Sequence, residues 1–228
     1  MKTKEAPSKE LGRKKKVLIV DDHPLYREGL SQFINHENDL EVAGHCASAD
    51  EALQMIDRIK PDLVTIDISL KESNGMDLIK SINAKNKTLP MLALSMFDES
   101  LYAERVLHAG ARGYVMKQEA VANVVAAIRK VMDGKIHLSE AMTERMLLKK
   151  IEGVPENVSS IQTLSDRELE VFQLIGEGMP TSKIAKSLHL SVKTIETYRA
   201  NIKTKLNLEN NIELITHAVQ WIQNGKDA

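Results

Sequence analysis

Four short apolar runs, set between helical patterns, constrain this chain most, because each ends on a polar residue of a different chemical kind. KVLIV runs into Asp21 and Asp22, DLVTI into Asp67, PMLAL into Ser95 and GYVM into Lys117. Apolar runs of this length beside turn signals read as strands buried on both faces, the pattern of a parallel sheet. A fifth run, Leu40-Glu41-Val42-Ala43, alternates apolar and polar residues and so suits a sheet edge. Residues 24–35, 50–59, 76–82, 101–108 and 120–132 carry apolar side chains at helical spacing between these runs. Alternating strands and helices predict an α/β doubly wound, five-stranded parallel sheet.

In an open parallel sheet the carboxyl ends of the strands form one crevice, where ligands bind. Three carboxylates, a hydroxyl and an ammonium are therefore expected to converge there, which is the composition of a phosphoryl-transfer site. Clustered carboxylates raise one another's pKa unless a cation relieves them. A hard divalent ion such as Mg²⁺ does this and bridges carboxylates to phosphate. One carboxylate can then attack phosphorus and become an aspartyl phosphate. Asp67, alone after a central strand, is the expected nucleophile, and Asp21 and Asp22 suit metal holding. Lys117 would neutralise one phosphoryl oxygen and Ser95 would donate to another.

Composition narrows the class. With 43% hydrophobic and 28% charged residues, the 228-residue chain has the balance of a soluble globular protein of one or two domains. The net charge of −1 gives no whole-chain attraction to nucleic acid or membrane. No apolar stretch approaches the ~20 residues needed to span a bilayer. The lone Cys46 cannot form an internal disulfide, which fits a reducing, cytoplasmic setting. The basic start, MKTKEAPSKELGRKKK, lacks the apolar core of a signal peptide. Residues 1–14 are expected to be a solvated tail, with a tether to DNA as the alternative. The seven histidines are scattered and supply no zinc set.

After residue 137 the character changes. LSEAMTERMLLKKIEG predicts one amphipathic helix, and GVPENVSSIQT a polar linker, so that residues 138–162 join two domains. Residues 163–228 read as all-helical. Ser165 followed by Glu168 has capping-box spacing, and Gly176 and Gly178 end that helix. Thr181-Ser182 opens a second helix and Ser191 caps a third, which bears Ile195, Tyr198, Ile202 and Leu206 on one stripe. The short turn between the last two makes a helix-turn-helix. Lys193, Thr197, Ala200 and Thr204 then face away from the core stripe, flanked by Glu196 and Asn201. Small and polar residues on such a face suit entry into the major groove. Between residues 183 and 205, six basic residues stand against one acidic, a local charge of +5. Over residues 163–228 the charges balance, so the positive charge is focused, as a phosphate footprint requires.

Two resemblances sharpen this reading. LIVDDHP, TIDISLKESNG, LALS and GYVMK, in this order and spacing, look like the receiver domain of a bacterial two-component response regulator over residues 15–137, which implies a flavodoxin-like fold. The resemblance implies that Asp67 is the phosphoacceptor, and that Asp22 binds Mg²⁺ directly while Asp21 acts largely through water. It makes the Ser69 backbone carbonyl a further ligand, and Ser95, Lys117 and Tyr114 the phosphoryl-contacting and switch residues. The chain departs from many receivers in carrying Ser69-Leu70 where they have Met-Pro, with Ser73-Asn74-Gly75 expected to keep the turn, and in a bulky Met96 after Ser95.

LSDRELEVFQLIGEGMPTSKIAKSLHLSVKTIETYRANIKTKL resembles the four-helix LuxR-type DNA-binding domain. Together the two make the chain similar to NarL/FixJ-type response regulators, which are transcription factors rather than turnover enzymes. The resemblance puts Lys193, Thr194, Glu196 and Thr197 on the recognition helix and Lys203 and Lys205 near the DNA backbone, with Thr181, Ser182, Lys183 and Arg199 as further contacts. Glu196 stands where many relatives carry Lys, and a glutamate can accept from a cytosine amino group. In relatives the last helix forms the dimer contact on DNA; here it carries Ile212, Ile215, Val219 and Ile222 on one stripe with Trp221 adjacent. The implied partners are double-stranded operator DNA, a sensor histidine kinase, RNA polymerase and a second copy of the chain.

Plainer roles compete at several positions. Arg199 could pair with Glu168 or Glu170 instead of DNA, Lys203 and Lys205 could form a solvated face, Glu196 could pair with a neighbour, and Tyr198 suits core packing. Tyr114 could be plain core, and His23 is read as shaping its loop. Two other classes remain. An aspartyl-phosphate phosphatase would carry a second Asp where Ser69 stands, and a protein-binding module that never touches DNA is opposed by the +5 segment.

Overall fold

The computed structural model describes residues 13–70, 74–151 and 160–226. Residues 1–12, Ser73 of the expected Asn-Gly turn and most of the expected polar linker lie outside them.

The first half builds the predicted sheet. Its strands are β1 (Lys15–Val20), β2 (Leu40–Cys46), β3 (Leu63–Asp67), β4 (Met91–Ser95) and β5 (Gly113–Met116), all parallel in the order β2-β1-β3-β4-β5. The intervening helices are α1 (Pro24–His36), α2 (Ala49–Ile59), α3 (Gly75–Lys85), α4 (Glu99–Ala109) and α5 (Val121–Met132). β3 and β4 are buried along their whole length, because helices cover both faces of a parallel sheet. β2 takes the expected edge, with only Leu40 and Cys46 buried. The other edge is blunted: His137 bridges β5 through Tyr114 N–H to its carbonyl (3.0 Å) and its own N–H to the Arg112 carbonyl (2.9 Å).

The second half is helical. α6 (Glu140–Ile151) leans on α4, where Lys149 pairs with Glu104 at 2.8 Å and the Ser139 N–H donates to buried Glu99 at 2.9 Å. A 3₁₀ turn (Ser160–Thr163) leads into α7 (Asp166–Gly176), α8 (Thr181–Ser187), α9 (Val192–Leu206) and α10 (Asn211–Lys226). The capping box at Ser165 and Glu168 is present in both directions. α8 meets α9 through a tight turn in which His189 is left-handed, at φ 53°. Every residue of α7 from Glu168 to Ile175 is buried, since α9 and α10 cover one side of it and the sheet domain the other. The apolar layer on the α3–α4 side of the sheet therefore runs without a break into the core of the helical domain, while a separate layer under α1 and α5 fills the opposite face.

Candidate functional site

The strand ends deliver the expected residues to one place. Asp21 and Asp22 follow β1, Asp67 ends β3, Ser95 ends β4 and Lys117 follows β5. Lys117 Nζ lies 2.7 Å from Asp67 Oδ2 and 2.6 Å from Asp21 Oδ2, with both carboxylates almost wholly buried. The Lys117 N–H donates to the Ser95 carbonyl at 2.7 Å, which ties the ammonium to the hydroxyl-bearing strand. Ser95 Oγ accepts the Phe97 N–H at 3.0 Å and its hydroxyl also interacts with that of Tyr114. Tyr114 is buried at 1% exposure and its hydroxyl donates to the Phe97 carbonyl at 2.8 Å.

Two residues enter the site that sequence reasoning did not place there. His23 does shape its loop, its N–H donating to Asp21 Oδ1 at 2.9 Å, but its Nδ1 also sits 2.9 Å from Asp22 and 3.6 Å from Asp67. Tyr26 presents its ring 4.7 Å from Lys117 Nζ, a cation–π contact from the first turn of α1. Neither position carries a periodic signal, though a His directly after an acidic pair was a visible hint.

The electrostatics follow from crowding. Burial raises the pKa of Asp21, and the neighbouring Asp67 charge adds to that rise despite Lys117. Burial would also raise Asp67, but the His23 ring, the Lys117 ammonium and the Ser69 N–H (3.0 Å to Oδ1) outweigh it and hold the carboxyl below its usual range. His23 is raised by the Asp67 carboxylate against its partial burial. Oxygens from Asp21, Asp22 and Asp67, with one His23 ring nitrogen, lie within 4.8 Å of one another. Three hard oxygen donors in so small a volume, with a surplus of negative charge, fit a divalent ion such as Mg²⁺.

The loop after Asp67 is shaped by a close approach. A side chain at Gly75 would collide with the backbone of Asp67 and Ile68, so only glycine lets α3 start there. The expected tight turn at Asn74-Gly75 is instead the start of this helix: Asn74 is its N-cap and accepts the Met76 N–H at 2.8 Å.

On the helical domain, Lys193, Thr197, Ala200 and Thr204 are exposed along α9, with Glu196 and Asn201 beside them. Ser182 and Lys183 on α8 are exposed as well, and Thr194 is half-buried against Ser191. Arg199 differs from both expectations for it. It is buried, donates to Thr181 Oγ1 at 3.1 Å and approaches Glu196 at 3.8 Å, while Glu168 is held by Lys205 (2.6 Å) and Glu170 by Arg167 (2.7 Å). Lys203 is half-buried, and Tyr198 packs against the core. On α10, Ile212 and Ile215 are exposed, Val219 and Ile222 are half-buried and Trp221 packs against Phe172 with the rings tilted, centroids 5.4 Å apart.

A family profile for the response regulator receiver domain matches residues 17–129, and one for bacterial regulatory proteins of the luxR family matches residues 162–218. The oxygen regulatory protein NreC of Staphylococcus epidermidis is 33% identical over 211 residues, spanning 90% of this chain and 97% of its own length. Among solved structures, the RcsB response regulator of Salmonella typhimurium aligns with 91% of this chain and 98% of its own at 27% identity and a TM-score of 0.63. RcsB from Salmonella enterica serovar Typhimurium bound to promoter rprA, in the presence of the phosphomimetic BeF3−, covers 91% of this chain and 99% of its own at 26% identity and a TM-score of 0.59.

Proposed function

The chain belongs to the NarL/FixJ-type two-component response regulators, phosphorylation-regulated transcription factors that join a receiver to a LuxR-type DNA-binding domain, and we propose that its input is phosphorylation of Asp67. The observation that carries this is the buried Asp67 carboxylate held in the ionised form by Lys117 and His23 at the mouth of the sheet. An Asp67 oxygen attacks phosphorus of a phosphohistidine on a sensor kinase, or of a small acyl phosphate. The new O–P bond forms as the old P–N or P–O bond breaks, and the electron pair leaves with the imidazole or the carboxylate. Asp21, Asp22 and Asp67, with the Ser69 carbonyl, would hold Mg²⁺, which when bound neutralises charge on the transferring group. Lys117 and Ser95 bind phosphoryl oxygens. Ser69, where a phosphatase would carry a second acid, supplies no group to drive turnover on external substrates.

The output is sequence-specific binding to double-stranded DNA. Lys193, Glu196 and Thr197 of α9 enter the major groove, Thr194 supports them, and Thr181, Ser182, Lys183, Lys203 and Lys205 meet phosphates. A buried Arg199 orients α8 against α9 rather than reaching DNA. Two copies pair through α10 to read half-sites about one helical turn apart, and RNA polymerase is the downstream partner. The domain limits adopted are 1–14 for the tail, 15–137 for the receiver, 138–162 for the linker and 163–228 for the DNA-binding domain. Among the described residues no helix is long and apolar enough to cross a membrane, and a cytoplasmic site of action is part of this reading.

Asp67→Asn tests the input directly. The variant is expected to take up no acid-labile phosphate from an acyl phosphate with Mg²⁺, and to lose donor-dependent capture of genomic DNA fragments. Labelling at wild-type level would move the phosphoacceptor elsewhere.

A further inference from the structure

A cavity of about 890 Å³ lies where the receiver, α6 and the DNA-binding domain meet, and none of Asp21, Asp22, Asp67, Ser95 or Lys117 borders it. Its size is that of a small-molecule site, roughly 300–1,000 Å³. Several helices each turn one face to it. α6 offers Met142, Arg145, Met146 and Lys149, the i, i+3, i+4, i+7 spacing of a single stripe. α4 repeats that spacing with Leu101, Glu104, Arg105 and His108. α3 and the turn after it contribute Lys80 and Lys87, and α10 contributes Trp221.

The lining combines an adaptable apolar wall with surplus positive charge. Met142 is buried, while Met146 and Trp221 are half-buried, so each of these last two still shows part of its side chain. Thioethers and an indole suit a flat apolar body, because sulfur and aromatic faces pack well on one another. Lys80, Lys87, Arg105, Arg145 and Lys149 stand against only Glu104 and Asp166, a surplus of three positive charges. Both carboxylates are already engaged. Asp166 is shared by Arg105 at 3.1 Å and Lys80 at 2.8 Å, and Glu104 pairs with Lys149 at 2.8 Å. Arg105 also holds the Leu164 carbonyl at 2.9 Å and the Ile161 carbonyl at 3.3 Å. Lys87 and Arg145 are exposed and have no carboxylate partner among the described ion pairs.

We propose that this cavity is a binding site for a small aromatic anion, whose ring system lies against Met142, Met146 and Trp221 and whose charge is met by Lys87 and Arg145. A neutral ligand would gain nothing from the surplus charge, and a cation would be repelled by it. The occupant would touch the receiver, the joining helix and the DNA-binding domain together. It therefore gives the chain a chemical input at a place distinct from the phosphoacceptor.

The test uses the full chain and a matched pair of probes, anilinonaphthalene sulfonate and phenylnaphthylamine, which is the same ring system without the sulfonate. Trp221 is the chain's only tryptophan, so energy transfer from it to the probe reads binding near this wall. The sulfonate probe is expected to saturate at a single site and to bind about tenfold more tightly than the uncharged one, as one partly screened charge contact allows. Changing Lys87→Gln and Arg145→Gln together should remove that advantage and leave the uncharged probe as it was. Met146→Glu, at a half-buried position, should weaken both probes. Lys135→Gln, exposed beyond α5 and outside the cavity, should change neither. Uptake of phosphate from acetyl phosphate should be the same in the Lys87, Arg145 double variant as in the wild type. Equal affinity for the two probes, a sulfonate affinity that survives the double change, or the same loss in Lys135→Gln overturns the inference. Energy transfer that never saturates overturns it as well, since that is the mark of scattered surface binding, and so does the absence of any transfer.

Discussion

Lys117 is the residue on which the site's stability turns. It lies within 2.7 Å of two carboxylates that are themselves buried, and no other ammonium or guanidinium pairs with either carboxylate among the described ion pairs. Replacing it with methionine keeps the volume of the stem but strands like charges in a low dielectric, which typically costs about 3 kcal/mol. Divalent ions should then do what the lysine did. Lys117→Met is expected to melt well below the wild type without Mg²⁺ and to gain more from added Mg²⁺ than the wild type gains, by thermal unfolding with and without the ion; equal gains would mean that the carboxylates do not form a cation site. The convergence of Asp21, Asp22, Asp67, Ser95 and Lys117 was legible in the sequence because each follows an apolar run, and strand ends of a parallel sheet share one edge. His23 and Tyr26 were not, since a side chain's direction on a loop or first helical turn obeys no period. The partner of Arg199 was hidden for a related reason: its stem runs along the core stripe and its head stops at Thr181, on a different helix.

At the scale of elements, periodicity carried most of the information and close approach the rest. Each of the five predicted receiver helices exists, with the start shifted by one or two residues where Ser48, Asn74 and Asp98 act as N-caps. α10 shows what periodicity could not supply. Its stripe of Ile212, Ile215, Val219 and Ile222 was visible, but the face that enters the core is Leu214 and Ala218, both fully buried. That face seats itself because Gly176 leaves no side chain between α7 and the Ala218 carbonyl. Two helical glycines therefore make opposite predictions. Gly29→Ala, with open space around the added carbon, should stabilise the chain by about 0.5–1 kcal/mol through helix propensity. Gly176→Ala, which drives a carbon into the backbone of α10, should destabilise it by about 1–3 kcal/mol. Chemical denaturation of both variants checks the pair, and a stabilising Gly176→Ala would mean that α10 does not pack as described.

The whole molecule was the least legible level, because the association of two domains depends on contacts far apart in sequence. The polar linker composition reads as independence, yet Arg105 joins residues about sixty positions away and the two apolar cores merge. What the merged core leaves outside is informative about assembly. Ile212 is 77% exposed and Ile215 43%, on a helix whose own packing is already satisfied by Leu214, Ala218 and the Trp221–Phe172 contact. Changing both isoleucines to glutamate should consequently leave the melting temperature of the isolated chain nearly unchanged. On an operator with two half-sites the same change should cost about a hundredfold in affinity, since the second half-site is then no longer reached at high effective concentration. Affinity for a single half-site should stay close to that of the wild type, because Lys193, Glu196 and Thr197 are untouched. Titrations on one and two half-sites separate these outcomes: an equal loss on both would make the isoleucines part of the DNA-binding fold, and no loss on either would move the dimer contact away from α10.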